Sequence, residues 1–295
     1  MRGNWDLFLF CLPGMIITLI YHYWPIYGIQ IAFRDYKVKL GMFNSEWIGF
    51  SNFARFFRSA NAWITIRNTL ILSVYSLAAG FPIAVILALL LNSFRFKKFR
   101  KIIQTVTYAP HFISTVVMCG MLFLFLSVRT GAVNTIIRML GGEPINFMGK
   151  SSLWRHIYVW SGVWQSMGWS SVIYFAALSG VSPEYHEAAI VDGAGPIRRF
   201  FSITFPMLTP VLFFNLINQT IGSFQAFNSS YLITGGNPLD STLYYALHLY
   251  NESFLYWRMG YGCAMAWFLL VIIGILTMFV FKSSSAWVYY ESEGR

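Results

Sequence analysis

The chain has 295 residues, of which 57% are hydrophobic, 19% aromatic and only 11% charged, with a mean hydropathy of +0.56. Soluble domains carry about 25% charged residues, so this composition excludes an ordinary soluble enzyme or binding module and puts most of the chain in lipid. The net charge of +10 comes without an exposed basic domain, which argues against nucleic acid as a partner and fits a membrane protein with basic inner loops.

Six apolar runs free of Asp, Glu, Lys and Arg span Leu7–Phe33, Thr69–Leu91, Ile102–Val128, Ile157–Val181, Met207–Ile233 and Met259–Phe281. Each reaches the roughly 20 residues needed to cross a bilayer. Each must also satisfy its own backbone hydrogen bonds there, which predicts helices. The expected fold is therefore an all-α integral membrane protein, one transmembrane domain over residues 1–295. Cys11, Cys119 and Cys263 all fall inside these runs, so neither a disulfide framework nor a zinc site is indicated.

The first run is too long and too aromatic for a cleaved signal and is expected to remain as a span. It ends in Tyr21-His22-Tyr23-Trp24-Pro25-Ile26-Tyr27, a belt suited to the membrane–water interface. Phe33-Arg34-Asp35-Tyr36-Lys37 and Trp47-Ile48-Gly49-Phe50-Ser51-Asn52-Phe53 follow in the first outer connection. Pro82 in the second run, and Pro110 in the third, predict kinks that a helix bundle tolerates. His111 beside Pro110 reads as a structural residue rather than a proton relay. Gly149-Lys150-Ser151 resembles the end of a nucleotide-binding loop, but Pro144 stands where that loop needs glycine. Any ATP chemistry must then come from a partner.

The fourth run is rich in rings and small polar groups, among them Trp160, Ser161, Trp164, Gln165, Trp169, Ser170 and Tyr174. In the fifth, Asn215, Asn218, Gly222, Gln225 and Ser229 recur at spacings of three and four, which places them on one helix face, with Gln219 beside them. Amides facing lipid are costly, so the stripe must face protein or a wet cavity. Two readings stay open. The stripe, together with Trp164, lines a path in which amides bond hydroxyls and rings stack on sugars, or it bonds helix to helix.

The long polar connection of the second half, His186–Pro210, carries the sharpest pattern. Glu184 and Glu187 suit a helix N-terminus, and Ala188, Ala189 and Ile190 continue a helix. Gly193-Ala194-Gly195-Pro196 breaks it, Arg198 to Ile203 restarts it, and Pro206 and Pro210 open the next run. Glu187-Ala188-Ala189, Gly193, Ile203 and Phe205-Pro206 resemble the EAA loop of ABC importer membrane subunits, with Phe205 where leucine is usual. Leu232-Ile233-Thr234-Gly235-Gly236-Asn237-Pro238 and Met259-Gly260-Tyr261-Gly262-Cys263-Ala264 look like carbohydrate-importer signatures. The resemblance runs from Leu7 to Lys282 and is strongest to the polysaccharide-permease branch, which includes membrane subunits of bacterial alginate importers.

That resemblance implies a type I ABC importer permease fold in the bacterial cytoplasmic (inner) membrane, with six transmembrane helices and both termini cytoplasmic. The basic residues divide almost evenly between the two sides, but five of them crowd into Arg95–Lys101, a very short loop where the positive-inside rule has most force. The implied partners are a second related permease, two cytoplasmic ATPase subunits, a periplasmic solute-binding protein and an oligo- or polysaccharide, alginate among the candidates. No cofactor belongs to this chain; ATP and Mg sit on the ATPase partners. Glu187, Ala188, Ala189, Asp192 and Gly193 would form the coupling contact with an ATPase. The rival reading is a gradient-driven secondary transporter of a small polar solute, which usually needs charged residues at mid-membrane and internal repeats, and neither is seen. A membrane enzyme would need converging acids, and the eleven acids are scattered. An acidic polysaccharide would have to find its positive charge outside the spans, in the binding protein, the partner subunit or outer-loop arginines.

Overall fold

The structure, a computed structural model, describes residues 5–94, 96–225, 231–232, 243–284 and 288. The chain divides into two compact units. The first takes the chain through Trp63 together with His248–Ile272; the second takes Ile64–Leu247 and the chain from Ile273 onward.

In the first unit, helix α1 (Trp5–Thr18) passes through a widened turn (Leu19–Tyr23) into a tighter helical stretch (Trp24–Phe33), where Pro25 suits the first turn. Phe8–Phe33 is thus one helical path of 26 residues, long and apolar enough to span a membrane. Tyr21, Tyr23 and Trp24 are exposed along it, as an interfacial belt requires. The chain then turns through strand β1 (Arg34–Asp35), a short helix α2 (Gly41–Asn44) and strand β2 (Glu46–Trp47), which pairs antiparallel with β1 so that Arg34 faces Trp47. Arg34 secures this hairpin by donating to the carbonyls of Phe43 (3.0 Å) and Ser45 (2.8 Å). Helix α3 (Ser51–Arg58) follows, and its buried Asn52 donates to the carbonyls of Ala32 (2.9 Å) and Arg34 (3.2 Å).

The second unit holds most of α4 (Ala60–Ser93), α5 (Lys97–Tyr108), α6 (Thr115–Leu126), α7 (Ala132–Met139), α8 (Ser151–Ser179), α9 (Pro183–Val191), α10 (Pro196–Arg199) and α11 (Phe205–Phe224). One buried cluster joins Leu72, Met118, Cys119, Trp154, Val159, Val163 and Tyr244. A second joins Ala84, Ala88, Tyr174, Leu178, Leu208 and Leu212. Small residues set the closest approaches: a Cβ on Gly168 of α8 would collide with the Thr107 carbonyl of α5. Close packing of this kind substitutes for the hydrophobic drive that lipid removes. Further along the described chain come α12 (Tyr245–Tyr250), a widened turn (Asn251–Leu255) and α13 (Met259–Ser284).

The apolar runs map onto these elements with two departures. The third run is not a kinked rod. Its helices Lys97–Phe112 and Thr115–Leu126 meet at 97°, because Pro110 sits in a single tight turn (Ala109–Phe112) and Ser114 caps a new helix by accepting from the Val117 N–H (3.3 Å). Gln165 of α8 donates to the Ile113 carbonyl at the break (2.7 Å), satisfying a group the bend frees. The second departure concerns the number of spans. Four of the described helices are long and apolar enough to cross a membrane, five if the bent pair counts as one span. Helix α8 has the length, 29 residues, but its Trp, Ser and Gln content dilutes its hydropathy.

Candidate functional site

Two features of the second unit bear on function. The first is the α9–α10 turn. Ser182 caps α9 by accepting from the Glu184 N–H (3.3 Å), with Pro183 at the first helical position, the arrangement expected of a strong N-terminus. At the other end Gly193 takes φ +74°. The Gly193 N–H donates to the Ile190 carbonyl (3.0 Å), and the Ala194 N–H donates to the Ala189 carbonyl (2.8 Å). These two bonds are the Schellman closure of a helix on a left-handed glycine. The turn therefore satisfies its own backbone and leaves its side chains outward. Glu187, Ala188, Asp192 and Gly193 are exposed and Ala189 is half-buried. Tyr185, Ile190, Val191, Ile197 and Phe201 are exposed as well, Val191 to 88%. An apolar set of this size on a polar connection marks a contact with protein or with membrane.

The second feature is a cavity of about 380 Å³ reached by four helices: Ser76, Leu77 and Gly80 of α4, Met118 of α6, Tyr158, Gly162, Ser166 and Ser170 among those of α8, and Gln219, Gly222 and Ser223 of α11. Its lining is mainly apolar, with Leu77, Met118, Val159 and Val163 beside the glycines, and the polar groups are hydroxyls and the Gln219 amide; no charged side chain among the described residues lines it. Polar bonds between distant segments hold its walls. Ser73 donates to the Ser223 carbonyl (3.1 Å) and Trp160 to the Tyr75 hydroxyl (2.9 Å), which also bonds His156 Nδ1 (2.8 Å). Nearby, the fully buried Asn68 accepts from Arg155 (3.0 Å) and donates to the Leu243 carbonyl (3.2 Å), while Thr69 accepts from the Tyr245 N–H (2.9 Å). The chemistry such a lining offers is hydrogen bonding to a hydroxyl-rich ligand, without charge selection.

The residues singled out in the sequence divide around this cavity. Gln219 and Gly222 line it. Asn215 and Asn218 sit on the same helix, with their amides donating to the Val211 and Phe214 carbonyls (2.9 Å each). Gln225 ends α11, its N–H on the Gly222 carbonyl (3.2 Å), and Trp164 is exposed. Ser229 and the Thr234-Gly235-Gly236 turn lie outside the described residues. Sequence reading passed over Ser76, Gly80, Gly162 and Ser166 and noted Ser170 only among the polar groups of the fourth run, although Gly162, Ser166 and Ser170 recur every fourth residue and so share a face. His111 stacks flat on Trp169, ring centroids 4.7 Å apart, which fits a packing residue.

Comparison with known proteins decides the family. Residues 80–290 match the model of the binding-protein-dependent transport system inner membrane component. The chain belongs to this family. It is 36% identical to the polygalacturonan/rhamnogalacturonan transport system permease protein YteP of Bacillus subtilis (strain 168) over 273 residues, 92% of this chain and 85% of that one. It is 37% identical to Protein LplB of the same organism over 280 residues, covering 94% and 87%. The structure superposes on a chain of a bacterial ABC transporter involved in the import of the acidic polysaccharide alginate, with TM-score 0.86 and 31% identity over 96% of both chains. A second structure, of a bacterial alginate ABC transporter in complex with an alginate pentasaccharide-bound periplasmic protein, superposes with TM-score 0.84 and 31% identity, covering 95% and 94%. The permease is therefore a multi-pass membrane subunit with the type I ABC permease fold.

Proposed function

We propose that this permease is the transmembrane subunit of an ATP-driven importer that moves an oligo- or polysaccharide, alginate and pectin-type chains among the candidates, from a periplasmic binding protein across the inner membrane. The observation that carries the reading is likeness over nearly the whole chain to the permease of a polygalacturonan/rhamnogalacturonan transport system and to a chain of a transporter importing the acidic polysaccharide alginate. In this reading the two units act as one transmembrane domain with six spans, α8 being the least apolar because it faces the path rather than lipid. Both termini lie in the cytoplasm, so that the Arg95–Lys101 loop and the α9–α10 turn share that side. The chain pairs with a second related permease, against which the exposed Phe8–Phe33 path packs. Two ATPase subunits supply all ATP hydrolysis with their own Mg.

The mechanism is alternating access by rigid-body motion. Nothing in this chain makes or breaks a bond. ATP closes the ATPase pair, and the outward face of α9 receives that movement: Glu187 and Asp192 as polar contacts, Ala188 and Ala189 as the close-approach surface, Gly193 as the turn that keeps α9 and α11 mechanically joined. Saccharide hydroxyls are handled by the serines and Gln219 of the cavity, with Asn215, Asn218, Gln225, Ser229 and Trp164 as further path residues.

The test is uptake into proteoliposomes holding the permease and its genomic neighbours. Labelled oligosaccharide should enter only with ATP inside and binding protein outside. Uptake driven by an ion gradient without ATP would replace this reading with gradient-driven transport.

A further inference from the structure

The six apolar runs carry no Asp, Glu, Lys or Arg with which to recognise an acidic saccharide, yet the first unit gathers positive charge. A cavity of about 610 Å³ there is lined by Arg55, Arg58, Arg258, Glu252, Tyr261 and Ser59 among others. Three arginines and one carboxylate thus share its lining, and that carboxylate is committed: Glu252, buried, is bound to Arg258 at 3.0 Å. Arg55 and Arg58 pair with no acid among the described residues, and Arg55 lies instead over the Tyr261 ring, 5.3 Å from its centroid.

The site is held by local geometry. Trp257 takes φ +56°, the one non-glycine residue in the left-handed region among those described, a conformation costly for a bulky side chain. It brings Arg258 back onto the preceding turn, where its N–H donates to the Glu252 carbonyl (2.9 Å) and its side chain meets the Glu252 carboxylate. A Cβ on Gly260 would come within 2.7 Å of the Arg34 carbonyl, so the start of α13 is pressed against strand β1. The helix dipole of α3 explains basic residues in its last turn. It does not explain a third arginine converging from another segment.

We propose that Arg55 and Arg58, with Arg258 held by Glu252, form an anion subsite that takes the carboxylates of a uronate-containing saccharide as the cargo leaves its binding protein. The subsite rests on the saccharide-import reading and gives the acidic cargo considered there a place to bind on this chain. Its volume of about 610 Å³ falls in the range of small-ligand sites. Guanidinium forks match carboxylates in bidentate geometry, and more than one fork suits a chain that repeats its carboxylate on successive sugars.

The experiment is stimulation of ATPase activity in proteoliposomes by binding protein loaded with oligogalacturonate or, in parallel, with a neutral arabino-oligosaccharide. R55Q/R58Q should lower stimulation by the acidic cargo roughly tenfold and leave neutral cargo within about twofold, and R55K/R58K should recover most of the loss. Equal loss with both cargoes would assign the arginines to docking of the binding protein and overturn the subsite. Unchanged stimulation, or a wild type that responds to neutral cargo alone, would overturn it while the importer stands. A preparation with no copurifying ATPase would remove the importer reading and the subsite together.

Discussion

The α9–α10 turn and the four-helix cavity, both in the second unit, are stabilised in opposite ways. Every bond that shapes the turn joins near neighbours in the chain, from the Ser182 cap to the Ala194–Ala189 closure. The cavity walls are tied by bonds between residues 81 to 176 positions apart, such as Tyr75 to His156 and Thr69 to Tyr245. The turn can therefore keep its shape while its surface is offered to a partner, whereas the cavity keeps its shape only while the whole bundle does. Changes at the turn should act on the transmission of motion with little effect on folding. Changes at the cavity should act on stability and on cargo.

The largest expected effect is at Gly193. Gly193→Pro deletes an N–H that donates at 3.0 Å and cannot take φ +74°. Transport-coupled ATPase activity should fall by about tenfold or more, with thermal stability of the purified permease nearly unchanged. No atom lies within 4 Å of a Cβ at this position, so Gly193→Ala meets only the backbone term of about 1 kcal/mol and should give an intermediate loss. A Gly193→Pro permease that unfolds in detergent would break the contrast between local and global design.

Next comes Asn68. Asn68→Leu leaves the Arg155 guanidinium and the Leu243 carbonyl without their bonds to it, a cost of about 1–3 kcal/mol for buried polar groups. The midpoint of thermal unfolding should drop by several degrees while ATPase docking persists. An unchanged midpoint would show that the long-range ties do not hold the cavity. Gly222 and Gln219 sharpen the cargo side. A Cβ on Gly222 meets nothing within 4 Å, so Gly222→Leu should reach into open space and cut uptake severalfold with basal ATPase preserved. Gln219→Ala should alter preference among oligosaccharides more than Asn218→Ala, whose amide bonds its own helix. The reverse order would make the α11 stripe a packing feature.

The smallest effect is a pH dependence at His248. Burial holds its ring below the usual histidine range, with the Glu252 charge opposing. The folded state thus prefers the neutral ring. The unfolded segment takes up a proton as pH falls below about 6.5, so the preference stabilises above that value and is lost on acidification. Wild type should lose more thermal stability between neutral and mildly acidic pH than His248→Gln. Equal slopes would sink this assignment.

The same contrast explains what could be read in the sequence. The turn was legible because Glu184, Glu187, Gly193 and Pro196 act on their immediate neighbours, although the Ser182 cap with Pro183 was not read. The apolar runs were legible because hydropathy needs no partner. The 97° bend after Pro110 was not, because its depth depends on Ser114 starting a new helix and on Gln165, 52 residues away from the Ile113 carbonyl to which it donates. The arginine pocket was unreadable for a like reason: Arg55 and Arg258 meet only once α13 is packed against strand β1. What the sequence supplied there was a choice of places for a cation, outer-loop arginines among them, and not which arginines share a pocket.

The most direct test of the coupling account is a cross-link. Val191 is 88% exposed on α9 and in the coupling reading touches an ATPase subunit. With Cys11, Cys119 and Cys263 replaced by serine, Val191→Cys in the assembled importer should form a disulfide with a cysteine placed on the ATPase surface. Transport should stop on oxidation and return on reduction. If the thiol introduced by Val191→Cys instead reacts freely with a soluble thiol reagent in the assembled importer and cross-links to no subunit, α9 does not dock on the ATPase and the coupling account is wrong.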